Sequence, residues 1–200
     1  MLIQQWHSRG YLPHFDGGDI CQAITFRLID SVPLDLLNKW REQVAHWPET
    51  TAKIALSKRI ERYLDVGKAN LWLQNSDIAQ MVQDNLLYFD AQRYKLCAWV
   101  VMPNHVHILI KVEPQWSLST IIHAWKSYTA KQANRLLNRQ GKFWQEDYYD
   151  RYIRDLQHYK ATINYIEANP IKAKLCLNKE DWLYSSASLG ARAARPLLHS

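Results

Sequence analysis

"AWVVMPNHVHILIKV", residues 98 to 112, is the stretch on which the reading of this chain turns. Two apolar, β-rich runs, "RYKLCAWVVM" and "HVHILIKV", are separated by Pro103-Asn104. That pair interrupts a ladder and turns the chain, so a β-hairpin is predicted. In a strand, successive side chains point to opposite faces, which puts His105 and His107 on one face, roughly 6.5 to 7 Å apart along the chain, and Val106 and Ile108 on the other. Two unpaired imidazoles in an apolar hairpin would be costly. A shared cation satisfies both, separate hydrogen bonds satisfy each, and the spacing alone leaves both readings standing.

Working outward, "ICQAITFRLID" (20 to 30) alternates apolar and polar residues between "DGGD" and "SVP" and reads as a half-buried first strand. Leu34, Leu37, Trp40, Val44 and Trp47 form a helical stripe after Pro33, and "ALSKRIERYLD" continues as a second helix. Together they read as a helical insertion over about 33–70. Ser76 can cap a helix through "DIAQMVQDNLLYFD". After the hairpin, "SLSTIIHAWKSYTAKQANRLLNR" (117 to 139) is amphipathic with a basic outer side, and "KFWQEDYYDRYIRD" is an aromatic-rich edge strand. A last helix starts at an Asp155 cap, buries Leu156, Tyr159, Ile163 and Ile166, and is expected to stop at Pro170. The chain from Asp181 is weakly patterned, and a tail over about 183–200 is expected to be mobile.

The order strand, helix, strand, strand, helix, strand, with a helix after it, is the split βαβ plan. It predicts an α+β, ferredoxin-like fold: an antiparallel sheet with helices on one face, the other face left for a ligand, in one domain spanning 1–200.

Lys and Arg outnumber Asp and Glu by 25 to 19, a balance that suits a polyanionic partner without demanding one. Cys21, Cys97 and Cys176, odd in number and widely spaced, read as reduced and structural. No apolar targeting core or membrane-length window is present, so a soluble, cytoplasmic protein is expected. The nine Trp and eleven Tyr are assigned chiefly to the core, with stacking on unpaired bases as their other use. On the last helix Tyr165 and Asn169, four residues apart, share a face. On spacing alone the favoured reading is a surface phenol and a C-cap before Pro170, with a catalytic phenol and a third ligand as the alternative.

"WVVMPNHVHILI", "FWQEDYYDRYIRD" and "INYIEANPIKAKL" closely resemble the REP-associated tyrosine transposases, relatives of the insertion-sequence single-tyrosine transposases in the HUH endonuclease superfamily. The likeness runs from "LPHFDGGDICQAITFRLIDS" to about Trp182. The resemblance implies that His105 and His107 are the metal-binding pair and Tyr165 the nucleophile, with Tyr148 and Tyr149 as fallbacks. Asn169 stands where relatives place a polar third ligand, Gln in many insertion-sequence members, and is one methylene shorter.

It also implies a divalent metal, Mg²⁺ or Mn²⁺, that neutralises charge on a target phosphate attacked by the phenol. The expected activity is nicking and rejoining of single-stranded DNA at palindromic hairpins through a 5′-phosphotyrosine. Lys126, Lys131, Arg135, Arg151 and Arg154 are the expected phosphate contacts. Partners are then single-stranded DNA and DNA hairpins, with no membrane. The chain is expected to be a monomer, a dimer being the alternative, associated with a bacterial nucleoid. A metal-free H-x-H-x-H hydrolase is disfavoured because position 109 is Leu. The remaining rival is a domesticated protein that binds DNA hairpins without cleaving them.

Overall fold

The computed structural model describes residues 20–67 and 70–188, with the backbone also of 5–8 and 13–16. Strands β1 (Gln5–Ser8) and β2 (Pro13–Asp16) pair as an antiparallel hairpin. A four-stranded sheet follows, in the order β4-β5-β3-β6, built from β3 (Cys21–Arg27), β4 (Tyr94–Val101), β5 (His105–Val112) and β6 (Tyr149–Tyr152). All of its neighbours are antiparallel. With helices α1 (Leu34–Val44), α2 (Glu49–Asp65), α3 (Ser76–Leu87), α4 (Leu118–Leu136) and α5 (Leu156–Lys172), the chain has the α+β, ferredoxin-like arrangement expected, with α1 and α2 inserted after β3.

Strand alternation separates two faces. Ile24, Phe26, Trp99, Val101, Val106, Ile108 and Ile110 join α3 and α4 in the larger core. Much of the Trp content is spent there, because each indole N–H finds a partner inside: Trp99 Nε1 donates to Gln83 Oε1 (2.8 Å), Trp125 Nε1 to the Tyr94 hydroxyl (3.1 Å), and Trp144 Nε1 to Thr129 Oγ1 (2.8 Å). The opposite face carries Ala98, Val100, Met102 and Leu109, and α5 lies across it through Ile166, Ile163 and Tyr159. The face expected to stay open is thus partly occupied by the last helix, and by the α1–α2 pair, which has its own small core of Val32, Leu37 and Leu64.

Several local expectations change. The α3 cap is Asn75, whose side chain accepts from the Asp77 and Ile78 amides, and Ser76 is the first helical residue. Leu156 is 67% exposed, so the apolar stripe of α5 begins one turn later, and Leu34 and Trp47 lie on the outside of the α1 region. Pro170 sits inside α5 rather than ending it. The Ile166 carbonyl that its missing N–H would have bonded is approached instead by Asn169 Nδ2 (3.5 Å), and the helix closes through Ala173 N–H to Asn169 O (2.9 Å).

The segment after Asp181 is held in place as far as Ser188. Val101 N–H donates to Tyr184 O (2.8 Å), Ser186 N–H to Trp99 O (2.9 Å), and Trp182 Nε1 to Val101 O (2.9 Å), so the chain runs along the free edge of β4. The rest of the predicted tail lies outside the described residues. All three cysteines are free thiols, with Cys21 beside Cys97 on the α5 face. No helix among the described residues is long and apolar enough to cross a membrane.

Candidate active site

Sheet register builds the site. His107 is opposite Thr25 on β3 and Val100 on β4, while Thr25 is opposite Tyr149 on β6, so these side chains form one row on the α5 face. Thr25 Oγ1 lies 2.7 Å from His107 Nδ1. His105 Nδ1 lies 2.6 Å from Asn104 Oδ1, and the two Nε2 atoms face each other at 3.0 Å. Both imidazoles are buried.

These partners constrain the protons. Asn104 Nδ2 donates to the Leu64 carbonyl (3.1 Å), which turns Asn104 Oδ1 toward His105. An amide oxygen only accepts, so His105 carries its proton on Nδ1 and offers a lone pair from Nε2. The Thr25 hydroxyl both donates and accepts. It donates to His107 Nδ1 when His107 Nε2–H bonds His105, and accepts when His107 Nε2 is needed as a ligand.

The nucleophile candidate comes from α5. The Tyr165 ring centroid lies 5.6 Å from that of His107, at 75°. Asn169, fully buried one turn on, donates from Nδ2 to Tyr165 O (2.8 Å). Lys172 Nζ stands 4.0 Å from the centre of the Tyr165 ring. From the opposite side α2 brings two carboxylates: Glu61, which shares the cavity wall with Tyr165, and Asp65, whose Oδ1 is 3.9 Å from His105 Nε2. A cavity of about 320 Å³ opens between α2, α5 and the sheet, lined by Thr25, Glu61, His107, Tyr149, Arg151 and Tyr165 among others.

Burial dominates the electrostatics. It holds His105 well below the ordinary histidine value, with His107 adding to the effect, and brings His107 down to about 3, with Lys172 adding. Both imidazoles are therefore neutral. Burial likewise pushes the Tyr165 phenol up, helped by the negative charges of Glu61 and Asp65. Glu61 is raised by burial and by Asp65, and Asp65 by burial. The phenol is thus protonated at rest and faces a carboxylate able to take its proton.

The donors suit a divalent ion in three respects. Neutral imidazoles with bonded Nδ1 atoms are the ligating form. The 3.0 Å between the Nε2 atoms matches the separation of about 3.0 Å between neighbouring ligands on an octahedral ion with bonds of about 2.1 Å. Asn169 Oδ1 and Asp65 Oδ1 are buried and have no hydrogen-bond partner among the described residues. No group of three His, Cys, Asp or Glu side chains among those residues forms a ready-made metal cluster. A third donor beside the two imidazoles therefore has to be an amide oxygen, or a carboxylate that closes on the ion as it binds.

The other expected site residues are dispersed. Arg151 is exposed on β6 and lines the cavity, with Arg154 exposed three residues on. Lys131 and Arg135 are exposed on α4, which packs on the far face of the sheet. Lys126 is engaged within the fold: Nζ donates to the Glu146 carbonyl (2.6 Å), and burial brings it down to about 8. Of the fallback tyrosines, Tyr149 lines the cavity and Tyr148 packs against the α3/α4 core.

Sequence reasoning missed Thr25, Glu61, Asp65, Asn104 and Lys172. Thr25 alternates with core residues of β3, Asn104 was assigned only a turn, and Lys172 lay beyond the expected helix end. The (i, i+4) spacing of Glu61 and Asp65 on an amphipathic helix was the available signal, but nothing local says which surface that helix meets.

Comparisons with known proteins bear on the same region. Residues 74–169, which contain the hairpin, α4, β6, Tyr165 and Asn169, match the family model described as "Transposase IS200 like". The chain is 24% identical over 110 residues to a REP-associated tyrosine transposase of Escherichia coli (strain K12), an alignment covering 54% of this chain and 63% of that protein, so it spans less than two thirds of its relative's length. A solved structure described as a REP-associated tyrosine transposase bound to a REP hairpin shares the fold, with a TM-score of 0.57, 17% identity, and coverage of 94% of this chain and 88% of that one. Residues 74–169 are thus similar to the IS200-like transposases, and the fold as a whole is similar to that of a REP-associated tyrosine transposase.

Proposed function

We propose that the protein nicks and rejoins single-stranded DNA beside palindromic hairpins of the REP type, with Tyr165 as nucleophile and His105, His107 and Asn169 holding a divalent ion, Mg²⁺ or Mn²⁺. The observation that carries the reading is the pair of inward Nε2 atoms 3.0 Å apart with the Tyr165 ring 5.6 Å from His107. The ion, when bound, neutralises the non-bridging oxygens of the target phosphate.

The chain's own residues supply the rest. Glu61 takes the phenol proton as the Tyr165 oxygen attacks phosphorus, the bond to the 3′ oxygen breaks, and that oxygen leaves as a 3′-hydroxyl after taking up a proton. The product is a 5′-phosphotyrosine. Because the ester stores the bond, attack by a 3′-hydroxyl reverses the step and joins strands without a nucleotide cofactor. Arg151 and Arg154 hold the unpaired strand at the cavity, and Lys131 and Arg135 contact the hairpin stem as it passes the β6 edge. Tyr149, on the cavity wall, is the nearest ring for stacking on an unpaired base. Since the hairpin and α5 belong to one chain, a monomer completes the site.

Incubation of an end-labelled hairpin carrying a single-stranded extension with Mn²⁺ tests this. The intact protein is expected to cleave it and His105→Ala is not. Hairpin binding without cleavage by the intact protein would replace this reading with a domesticated binding protein.

A further inference from the structure

We propose that Asp65, at the end of the inserted helix α2, is an additional ligand of the cation at His105 and His107, so that the insertion completes the metal site. This rests on the metal reading above and goes beyond its set of two histidines and Asn169.

Four observations converge. Asp65 Oδ1 is 3.9 Å from His105 Nε2. Donors on an octahedral ion with bonds of about 2.1 Å are separated by about 3.0 Å when adjacent and about 4.2 Å when opposite, so a closing movement of about 1 Å would bring Asp65 Oδ1 into a position adjacent to His105 Nε2. Second, although the Asp65 side chain is 27% exposed as a whole, Oδ1 is buried and without a hydrogen-bond partner among the described residues. A carboxylate oxygen withdrawn from water and left unbonded is costly unless a cation meets it.

Third, the same is true of Asn169 Oδ1, on a residue with no exposure at all. Two orphaned oxygens thus come from α2 and α5, the two helices that line the cavity together with His107. Fourth, the position of Asp65 is tied to that of the histidines. Asn104 bonds His105 Nδ1 through Oδ1 (2.6 Å) and the Leu64 carbonyl through Nδ2 (3.1 Å), so one side chain orients a ligand imidazole and anchors the backbone next to Asp65.

The chemistry explains why a further ligand is needed. Two imidazoles and a carboxamide are all neutral, and a hard divalent ion such as Mg²⁺ is ordinarily held by one or two carboxylates. Asp65 is the carboxylate within bridging distance. A direct ion pair with His105 does not account for it, because 3.9 Å is too long for a hydrogen bond and His105 Nε2 already faces His107.

The test is Mn²⁺ binding by the full chain in the absence of DNA, read by calorimetry and by the paramagnetic resonance of free Mn²⁺. Asp65→Asn, which keeps shape and removes charge, is expected to weaken binding about tenfold or more, Asp77→Asn, exposed on α3, to leave it unchanged, and His105→Ala to abolish it. Unchanged affinity in Asp65→Asn with loss in His105→Ala overturns the role of Asp65 and leaves the histidine site standing. Unchanged affinity in His105→Ala overturns the metal reading itself. Asp65→Cys gives a second readout: a cadmium–thiolate absorption beyond that of the three native thiols, lost again when His105→Ala is added, and a preference shifted from Mn²⁺ to Cd²⁺. Absence of both in the folded variant refutes the proposal.

Discussion

Replacing Thr25 by Val tests how the site is oriented with little change of shape, because Val keeps the β-branch that suits a strand. The hydroxyl lost is the one 2.7 Å from His107 Nδ1, on a ring that is only 2% exposed. Removing it leaves a buried imidazole nitrogen with no partner from β3, a cost of about 1–3 kcal/mol. The same hydroxyl accepts the Nδ1 proton when Nε2 serves as ligand, and loss of such a supporting partner typically weakens metal affinity about 10–100-fold. Two assays follow: urea unfolding in the presence of chelator, and Mn²⁺ titration of the folded protein. Thr25→Val is expected to lower both stability and affinity, and Thr25→Ser to recover most of each. A Thr25→Val protein matching the parent in both assays would refute the idea that Thr25 sets the His107 tautomer.

The histidines also give a pH signature. Unfolded, they titrate near 6.5, while in the fold burial keeps both lower, at about 3 for His107. The unfolded chain therefore binds more protons across that interval, and stability of the chelated protein falls as pH drops from about 6.5 toward about 3. Glu61, raised by burial, acts in the opposite sense, so Glu61→Gln should steepen the fall; a flat unfolding profile would contradict the neutral, buried pair. For DNA, Arg151→Ala is expected to reduce the salt dependence of single-strand binding by about 0.7 in the log–log slope, whereas Arg135→Ala should weaken hairpins and leave single strands unaffected. The reverse pattern in filter binding would exchange their roles. Asp155 caps α5 by accepting from the His158 amide (2.7 Å). Asp155→Ala should cost about 1 kcal/mol in thermal unfolding, and no loss would mean that the first turn is held by other contacts.

The hairpin and its histidine face were open to sequence reasoning because they follow from local rules: alternation along β5 and a turn at Pro103-Asn104. Helical spacing put Tyr165 and Asn169 on one face, and their site roles came only from the family resemblance. What escaped was decided by packing. The carboxylates of α2 became site residues only when the insertion lay across the sheet face, a contact with no periodicity to announce it. Leu156 followed the helical stripe yet faces solvent, because α5 meets the sheet one turn further on. Pro170 looked like a stop, and the helix passes through it because the orphaned carbonyl is met by the adjacent Asn169 amide. Lys126 lay on a basic surface in projection, but its ammonium is bound by the Glu146 carbonyl.

Peptide mapping of a trapped protein–DNA complex tests the central claim most directly. After incubation of the protein with Mn²⁺ and a hairpin substrate, denaturation and proteolysis, mass spectrometry should find a nucleotide 5′-phosphate esterified to Tyr165, and Tyr165→Phe should yield no adduct. A phosphotyrosyl linkage at Tyr148 or Tyr149, or an undiminished adduct in Tyr165→Phe, would contradict it.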